Sequence, residues 1–312
     1  MSSQQAATLH ITNGDAVVYL FKKAGVVGTH VPWRDVLHEG PVPAGATLEQ
    51  LSRVRGEYLA SRGFGKPIKI LHDFASRDAA FRRAVESPEV VLWFEHDLYD
   101  QLQLVQVLAE LDAMKLEPGT VSLVQSDAYL GSMTAEELLA LYPKRKTVTG
   151  AIFDQARIAW DALRAEEPSA LLSVAQREAH ALPHLRSALH RLCQEYPWKD
   201  DGLSRSQRHA LQAVAFGPSS PDELFRRAQA REEAAFLGDL AFAAIVRDLQ
   251  TGPAPLIEGE EGALEPTAQG RSTLAGGEDW LAVQPLDRWI GGVHLTTECA
   301  FRWDDDAGRF VS

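Results

Sequence analysis

Apolar runs alternate with amphipathic segments through the first half of the chain. Four apolar runs predict β-strands, and three segments with a helical spacing of apolar positions predict helices. The predicted strands are residues 8–14, 26–33, 89–95 and 119–125, and the predicted helices are residues 15–25, 47–63 and 97–114. Strands that are apolar throughout and separated by helices are typical of a parallel sheet covered on both faces. The pattern therefore predicts an α/β fold with an open, mostly parallel sheet.

The second half of the chain has a different pattern. Residues 134–200 are mostly helical in their spacing and end in a connector, so we place a domain boundary near residue 200. Three helical segments and two short strands then follow in the order of a winged helix. The sequence thus predicts an α/β domain over 1–145, a helical connector over 146–200 and a winged-helix-like domain with a C-terminal tail over 201–312.

Two predicted helices carry local start signals. Thr47 is followed three residues later by Gln50, which is the pattern of a capping box. Ser220 is followed by Pro221, so a capping side chain precedes a residue that suits the first helical position. Both signals act through neighbouring backbone groups, and they predict helix starts at these two places.

The composition is that of a soluble globular protein, with 45% apolar and 24% charged residues. No apolar run is long enough for a membrane-spanning helix, and the N-terminal residues lack the pattern of a signal peptide. Cys193 and Cys299 are the two cysteines of the sequence, which speaks against a disulfide framework or a cysteine zinc site. We therefore expect a cytoplasmic protein without membrane association.

The charge of the chain bears on its partners. The formal net charge is −12, and residues 201–312 contain 18 Asp and Glu against 10 Arg and no Lys. Because contacts with nucleic-acid phosphates need clustered basic side chains, this balance speaks against DNA binding by the winged-helix-like domain. It favours a packing or dimerising role for that domain, and a homodimer is compatible with the sequence.

Polar clusters follow all four predicted strands. Ligands of open parallel sheets bind at the carboxyl ends of the strands, so we interpret the four clusters as one site for a small anionic or nucleotide-like ligand. The clusters are Asn13, Gly14 and Asp15 after the first strand, Arg34, Asp35, His38 and Glu39 after the second, Glu95, His96 and Asp97 after the third, and Gln125, Ser126 and Asp127 after the fourth.

Glu95, His96 and His38 are the candidate catalytic residues. A carboxylate that ends an apolar strand, as Glu95 does, is expected to be partly buried and to need a partner or a shifted pKa. The two neighbouring carboxylates would either raise the pKa of His96 or orient it as a general base. His38 and Glu39 precede a Gly-Pro pair, which predicts a rigid loop suited to a catalytic or ligating pair.

Candidate ligand-binding residues have structural alternatives. Gly14 would let the backbone approach a ligand, and Arg34 would clamp a carboxylate or a phosphate. Asp15 and Asp97 could instead cap helices, and for Asp97 we favour the cap. Arg34 could instead form a surface pair with Asp35. The sequence leaves these alternatives open.

A divalent metal is one option for the same site. His38 and His96, with Asp15 or Glu95, would form a nitrogen and oxygen ligand set for zinc, manganese or iron. The chain has no HxH or HExxH spacing, so such ligands would have to come from separate loops. GxGxxG, GxxxxGK[ST] and GxSxG are also absent from the sequence, and no particular cofactor is predicted.

Five stretches resemble one bacterial family, domain of unknown function 1835, over nearly the whole chain. They are HITNGD, WRDVLHEGPVP, WFEHDLYDQLQL, DRWIGGVHL and FRWDDD. The resemblance implies an acidic turn at Gly14-Asp15, a Gly-Pro loop at Gly40-Pro41 and an acidic or amide cluster from Glu95 through Gln101. It thereby adds Gln101 to the ligand-binding candidates. It implies no reaction, but it supports treating the strand-end clusters as one site.

The C-terminal stretch with Trp289 and His294 has two interpretations. We favour an aromatic clasp, helped by Trp303, that docks the tail onto a neighbouring domain. In the alternative, Arg288 and His294 reach the α/β site and complete it.

Two classes of function are consistent with these patterns. In the first, the protein is an enzyme, a hydrolase or a group-transfer enzyme, acting at the carboxyl edge of the sheet. In the second, it is a non-catalytic ligand sensor whose C-terminal domain contacts a protein partner or DNA. We favour the enzyme.

Overall fold

The computed structural model describes residues 7–177, 180–260, 262–298 and 301–311. The strands are β1 (Leu9–Thr12), β2 (Thr29–Pro32), β3 (Gly40–Pro41), β4 (Val90–Glu95), β5 (Val121–Ser126), β6 (Lys146–Thr147), β7 (Ile257–Glu258), β8 (Glu265–Pro266), β9 (Asp287–Gly291), β10 (Val293–Thr296), β11 (Arg302–Asp304) and β12 (Arg309–Val311). Five of them form the central sheet in the order β2-β1-β4-β5-β6, with β6 antiparallel to β5 and the other neighbours parallel. The predicted α/β fold with a mostly parallel sheet is confirmed.

Helices surround this sheet and form most of the rest of the chain. The α-helices are α1 (Asp15–Ala24), α2 (Leu48–Ser61), α3 (Pro67–Phe81), α4 (Leu98–Ala113), α5 (Ala135–Leu139), α6 (Gly150–Leu163), α7 (Pro168–Ala175), α8 (Leu185–Cys193), α9 (Arg205–Ala215), α10 (Pro221–Gln229), α11 (Asp239–Gln250) and α12 (Ala268–Leu274). Short 3-10 helices span Arg82–Glu86, Leu130–Ser132, Tyr142–Lys144 and Trp280–Ala282. Within the described ranges, no helix is both long and apolar enough to cross a membrane.

Helices cover both faces of the central sheet, and the alternation of side chains along β4 shows why its strands are apolar throughout. Val90, Leu92 and Phe94 belong to the large core that also contains α4, α6 and α8 residues. Val91 and Trp93 point to the opposite face, where they pack with α1. Since neighbouring residues of a strand face opposite sides, a strand covered on both sides is apolar at every position.

The helix starts follow the local capping signals. The Thr47 hydroxyl accepts a hydrogen bond from the backbone N–H of Gln50, and the Gln50 side-chain oxygen accepts one from the backbone N–H of Thr47. The Ser220 hydroxyl caps α10 by accepting the backbone N–H of Glu223, and Pro221 is at the first position of the helix. Both predicted starts are confirmed, because a cap depends on residues three positions apart and not on distant packing.

Helix α3 is an element that the sequence patterns did not predict. It packs against α2, and its buried face carries Arg77 and Asp78 among apolar residues. The Ser52 hydroxyl of α2 donates to Asp78 at 2.6 Å, and Arg77 donates to the backbone oxygen of Trp33 at 3.1 Å. A buried face with charged side chains lacks the apolar periodicity by which amphipathic helices are identified.

The C-terminal part has a small core of its own. Helices α9, α10, α11 and α12 and the β7-β8 hairpin enclose a cluster that includes Leu211, Phe242, Leu256 and Trp280. The elements follow the order that was expected, and the identification as a winged helix stays a prediction, as do the domain boundaries. Helix α11 lies against the α/β part, where Arg62 at the end of α2 makes two hydrogen bonds to the Asp248 carboxylate, at 2.9 and 2.6 Å.

The tail after this unit returns to the α/β part. Strand β9 pairs with β10 and also, in parallel, with β3, so the C-terminal hairpin is joined to the loop that follows β2. Trp303 is fully buried, its ring lies 5.6 Å from that of His190, and its backbone N–H donates to Pro197. These contacts dock the tail onto the helical connector.

Candidate functional site at the carboxyl edge of the sheet

The carboxyl ends of β1 and β4 lie side by side at the point where the strand order reverses. From β1 the chain crosses to β2 on one side, and β4 occupies the other side of β1. A crevice opens at such a reversal because the connections leave in opposite directions, and ligands of open α/β sheets bind there. Asn13 follows β1 directly and Glu95 ends β4, so the topology brings these two residues together.

Asn13 links the ends of the two strands through hydrogen bonds. Its side-chain amide donates to the Asp100 carboxylate at 2.9 Å and to the Glu95 carboxylate at 3.4 Å. Asp100 also accepts the backbone N–H of Glu95 at 2.7 Å, and Glu95 accepts that of Leu130 at 2.7 Å. These bonds fix the carboxylates of Glu95 and Asp100 in one place.

Glu95, Asp97 and Asp100 form a buried cluster of carboxylates, which we call the acidic cluster. One carboxylate oxygen of each lies within 4.8 Å of those of the other two, and each residue is at most 4% exposed. Asp97 also caps α4, since its side chain accepts the backbone N–H of Asp100 at 3.0 Å. Among the ion pairs and hydrogen bonds of the described residues, none joins an Arg or Lys side chain to this cluster.

The surroundings of the acidic cluster favour the protonated carboxyl groups. Burial raises the pKa of Asp97 to about 7. The hydrogen bond from the Asp100 N–H group opposes this shift, and the charge of Glu95 adds to it. Burial, with the charges of Asp97 and Glu95, also raises the pKa of Asp100 well above its usual range. Burial raises the pKa of Glu95 against the opposing N–H groups of Leu130 and Gly131. Three carboxylates in this space therefore need protons or a cation to be stable.

A cavity of about 590 Å³ opens over the acidic cluster, and we call it the switch-point cavity. Asn13, Gly14, Asp15, Arg34 and His38 line it together with the acidic cluster, Tyr99, Tyr129 and residues 235–241. A Cβ atom added to Gly14 would meet nothing within 4 Å, so the backbone at this position is open to approach. The volume is within the range of small-molecule sites, about 300–1,000 Å³.

Arg34 and Asp15 form an ion pair at the rim of this cavity. Arg34 donates to both carboxylate oxygens of Asp15, at 2.7 and 2.6 Å, and the Arg34 backbone has a φ of 61°. Asp15 is the first residue of α1 and makes no cap, because Gly14 is the N-cap. Of the alternatives that the sequence left open, neither the Asp15 cap nor an Arg34–Asp35 pair is present.

Asp35 is directed away from the cavity and stabilises the loop after β2. Its carboxylate accepts a hydrogen bond from the Arg55 side chain at 3.0 Å, and both residues are fully buried. Arg55 also donates to the backbone oxygens of Val36 and Glu39, at 2.7 and 2.8 Å. The geometry therefore assigns Asp35 to the structure of the loop that carries His38 and Glu39.

His38 and Glu39 are both buried, but only His38 lines the switch-point cavity. Neither ring nitrogen of His38 has a hydrogen-bond partner, which is unusual because the residue is only 3% exposed and water cannot replace the missing partners. Burial lowers the pKa of His38 to about 3, so its imidazole is neutral near pH 7. A neutral imidazole can act as a metal ligand or as a hydrogen-bond donor and acceptor.

His96 lies in a different place from Glu95. It lines a separate cavity of about 620 Å³, whose lining also includes Arg186, His190 and Arg191. Its ring is 5.2 Å from that of Tyr129 and 6.1 Å from that of His184. The structure thus brings Glu95, His38 and Asp15 of the candidate metal ligands to one cavity and places His96 outside it.

The remaining predicted residues have structural contacts. Gln101 is fully buried and donates to the backbone oxygen of Glu95 at 2.6 Å, which holds the end of β4 against α4. Asp127 is exposed and lies 3.1 Å from the His184 ring nitrogen, away from the switch-point cavity. Arg288 donates to the Glu195 backbone oxygen and carboxylate, and His294 stacks on Trp289, so neither reaches the acidic cluster.

Two parts of the site were not predicted from the sequence. Asp100 lies within the predicted cluster from Glu95 through Gln101 but was not among the candidate site residues, although its position three residues after Asp97 at the start of a helix is a recognisable signal. Residues 235–241 come from the C-terminal part and close one side of the cavity. No local pattern in that segment indicates a role at the sheet edge.

No protein-family model matches the chain. No curated protein matches its sequence either. The resemblance to domain of unknown function 1835 therefore stays a prediction, and the chemistry of the site has to be argued from its geometry. An oxygen-rich, buried and acidic cluster beside an open cavity can hold either protons or a hard divalent cation such as Mg²⁺, Mn²⁺ or Ca²⁺.

Proposed function

We propose that this protein is a divalent-cation-dependent enzyme that hydrolyses or transfers a group of a small anionic substrate in the switch-point cavity. The observation that carries the proposal is the acidic cluster, in which three buried carboxylates share a space of 4.8 Å without a basic partner among the described residues. Several like charges in a buried place cost stability unless a cation offsets them.

The donor set suits a hard divalent cation. Glu95, Asp97 and Asp100 supply carboxylate oxygens, which Mg²⁺, Mn²⁺ and Ca²⁺ prefer. His38 provides a second, independent indication of a ligand, because it is buried, unpartnered on both ring nitrogens and part of the same cavity wall. Asn13 would orient the ligands from outside, through its hydrogen bonds to Glu95 and Asp100.

A bound cation would also make the cavity suitable for an anion. Five carboxyl groups line it, from Asp15, Asp239 and the acidic cluster, and Arg34 is the cationic side chain among the described lining residues. Without a cation, the lining would repel a phosphate or carboxylate group. With a cation in place, the open backbone at Gly14 and the guanidinium of Arg34 could hold the anionic end of a substrate.

The proposal is tested first by cation binding. Calorimetric titration of the chelator-treated protein with Mg²⁺, Mn²⁺ and Ca²⁺, in two buffers of different ionisation enthalpy, measures affinity and the protons released. We expect binding with proton release, because a cation displaces protons from carboxyl groups whose pKa is raised. At a cation concentration of about 100 times the dissociation constant, the free energy of unfolding should rise by about 2.7 kcal/mol.

A matched pair of variants on one helix locates the cation. Asp100→Asn removes a ligand at the start of α4, whereas Asp112→Asn makes the same change near its other end, about 18 Å along the helix axis. Binding should be lost in the first variant and retained in the second. Equal binding in both, or no binding in the parent protein, would contradict the proposal.

Turnover is then assayed with the cation that binds. A panel of p-nitrophenyl phosphate, bis(p-nitrophenyl) phosphate and nucleoside triphosphates reports phosphate-ester and anhydride cleavage, and p-nitrophenyl acetate reports ester cleavage. We expect cation-dependent release of product that is lost in Asp100→Asn. Cation binding without turnover of any substrate would favour the sensor described next.

One observation supports a ligand sensor as the second candidate. Residues 235–241 line the switch-point cavity, and the last three of them form the start of α11 in the C-terminal part. A ligand in the cavity would therefore contact a segment whose position affects that part. A sensor should bind its ligand without consuming it and should change its affinity for a protein partner on binding.

A further inference from the structure

A third cavity, which we call the hairpin cavity, lies between the α/β part and the C-terminal part. It has a volume of about 450 Å³, and its lining includes His38, which it shares with the switch-point cavity, and Glu39. The other walls come from Tyr58 and Arg62 near the end of α2, from Glu195, from α11 and from the segment between Trp280 and Trp289. Sites at the junction of two parts of a chain are common places for small ligands. None of the acidic-cluster residues lines it.

Glu39 lines this cavity and has an unsatisfied acceptor oxygen. The residue is 8% exposed, and its Oε1 atom has no hydrogen-bond partner, while Oε2 accepts the Tyr58 hydroxyl at 3.1 Å. Glu195, another buried carboxylate of the cavity wall, is bonded to Arg191, Ser206 and Arg288. Buried carboxylate oxygens are normally paired, so the free oxygen of Glu39 is an exception that points to a ligand with a donor group.

Arg62 presents a matching donor. Its Nε atom is buried without a hydrogen-bond partner and lies 3.7 Å from Glu39 Oε2, while its two terminal nitrogens are engaged by Asp248. An acceptor and a donor thus stand next to each other on one wall. The charge of Arg62 is shared by Glu39 and Asp248. The acceptor of Glu39 and the donor of Arg62 together suit a ligand edge that carries an N–H group beside an acceptor atom.

Trp289 supplies an aromatic surface in the same cavity. Its indole is stacked on the His294 ring with a centroid distance of 4.3 Å and an interplanar angle of 4°. The stacked His294 holds the indole in one orientation. A fixed aromatic ring in a cavity favours a planar ligand, because flat faces stack over a large area.

We propose that the hairpin cavity binds a planar nitrogen heterocycle of the nucleobase class, with its N–H and acceptor edge on Glu39 and Arg62 and its face near Trp289. The N–H and acceptor edge of such a heterocycle is complementary to the acceptor of Glu39 and the donor of Arg62. The ring of Trp289 favours a ligand that is planar. The proposal goes beyond the proposed function and does not depend on it, since it involves no residue of the acidic cluster.

The test measures binding of free bases to the full chain. Adenine, guanine, cytosine, uracil and their nucleosides are titrated while the tryptophan fluorescence and the ligand NMR signals are followed. 1,3-Dimethyluracil is the matched control for uracil because it keeps the ring but lacks both N–H donors. We expect saturable binding of at least one base, and for uracil a loss on methylation.

Variants connect this binding to the hairpin cavity. Glu39→Gln keeps the shape of the acceptor but removes its charge, and Trp289→Leu removes the aromatic ring. Trp289→Leu should weaken binding about tenfold or more, given the usual contribution of a base–aromatic stack. Glu39→Gln should also weaken binding, because a neutral amide oxygen accepts a hydrogen bond less strongly than a carboxylate. Phe216→Leu, at an aromatic residue that is 73% exposed and outside the cavity, should bind like the parent.

Asp100→Asn separates this proposal from the proposed function. It should abolish cation binding and leave base binding unchanged, because Asp100 does not line the hairpin cavity. No saturable binding of any base at millimolar concentration would overturn the proposal. Equal affinities of the parent and both cavity variants would also overturn it, since the base would then bind elsewhere.

Discussion

The side chains of Glu95 and His96, consecutive at the end of β4, line two different cavities. Glu95 faces the switch-point cavity and is held there by Asn13 and the Leu130 N–H group. His96 faces the cavity beside α8 and lies near His184. An extended chain directs neighbouring side chains to opposite sides, so the two residues serve different surroundings.

This separation predicts different effects of the two substitutions on cation binding. Glu95→Gln should lower the affinity for the divalent cation by about a hundredfold or more, because it removes a charged ligand. His96→Ala should change that affinity by less than about twofold, a difference within ordinary surface effects. Calorimetric titration of both variants measures the two affinities. A large loss in His96→Ala would mean that His96 moves into the switch-point cavity.

Removing one charge from the acidic cluster should stabilise the protein when no divalent cation is present. Asp97→Asn retains a good N-cap for α4 but relieves repulsion among buried carboxylates. We expect a gain of about 1–2 kcal/mol in the free energy of unfolding at pH 8 with a chelator. Urea unfolding measures it. A less stable variant under these conditions would show that the cluster is not under electrostatic strain.

Breaking the buried Arg55–Asp35 pair should be strongly destabilising. Arg55→Met leaves the Asp35 carboxylate buried without its cation and removes the hydrogen bonds to Val36 and Glu39. Such losses cost about 3–5 kcal/mol. Adding Asp35→Asn to Arg55→Met should recover part of the loss, because no buried charge then remains unpaired. If the double variant were as unstable as the single one, the charge would not be the cause.

Acid should weaken the contact between α8 and the C-terminal part. Burial alone would raise the pKa of Glu195, but Arg191 and Arg288 outweigh it and lower that pKa to about 2. Burial would also raise the pKa of Glu232, but Arg191 and His209 outweigh burial and lower that pKa to about 2. Groups with a lowered pKa stabilise the fold above their ordinary value of 4.5, and this contribution is lost as the pH falls from 4.5 towards 2.

Glu232→Gln provides the measurement for this pH dependence. The stability difference between parent and variant should be largest near pH 6, at about 3 kcal/mol. It should shrink as the pH falls below 4.5, because Glu232 is then protonated in the unfolded chain but stays ionised in the fold until about pH 2. Urea unfolding at several pH values follows this difference. A difference that stays constant down to pH 2.5 would contradict the assignment.

Gly40 is predicted to tolerate no side chain. Its φ is 81°, and a Cβ atom would lie 2.3 Å from the Tyr58 ring and 2.7 Å from the Arg55 guanidinium. Gly40→Ala should cost about 2–4 kcal/mol, from backbone strain and overpacking together. Gly45→Ala is the matched control, because Gly45 has a φ of 73° but nothing within 4 Å of the added atom. Equal costs for both variants would show that the Tyr58 contact is unimportant.

Local sequence patterns determined the parts of this protein that depend on neighbours along the chain. The apolar runs predicted the four parallel strands, because a strand covered on both faces has to be apolar throughout. The caps at Thr47 and Ser220 were predictable because donor and acceptor are three residues apart. The carboxyl ends of the strands also indicated where Asn13 and Glu95 would meet.

The tertiary structure alone decided which polar residues share a space. It joined Asn13 to Asp100, paired Asp35 with Arg55, directed His96 away from Glu95 and brought residues 235–241 over the cavity. The contacts link residues that are far apart in the chain. Glu95 and His96 are neighbours in the chain, but they line different cavities because these cavities lie on different sides of the end of β4. Pattern within a short window carries no information about such contacts, because packing between distant elements sets them.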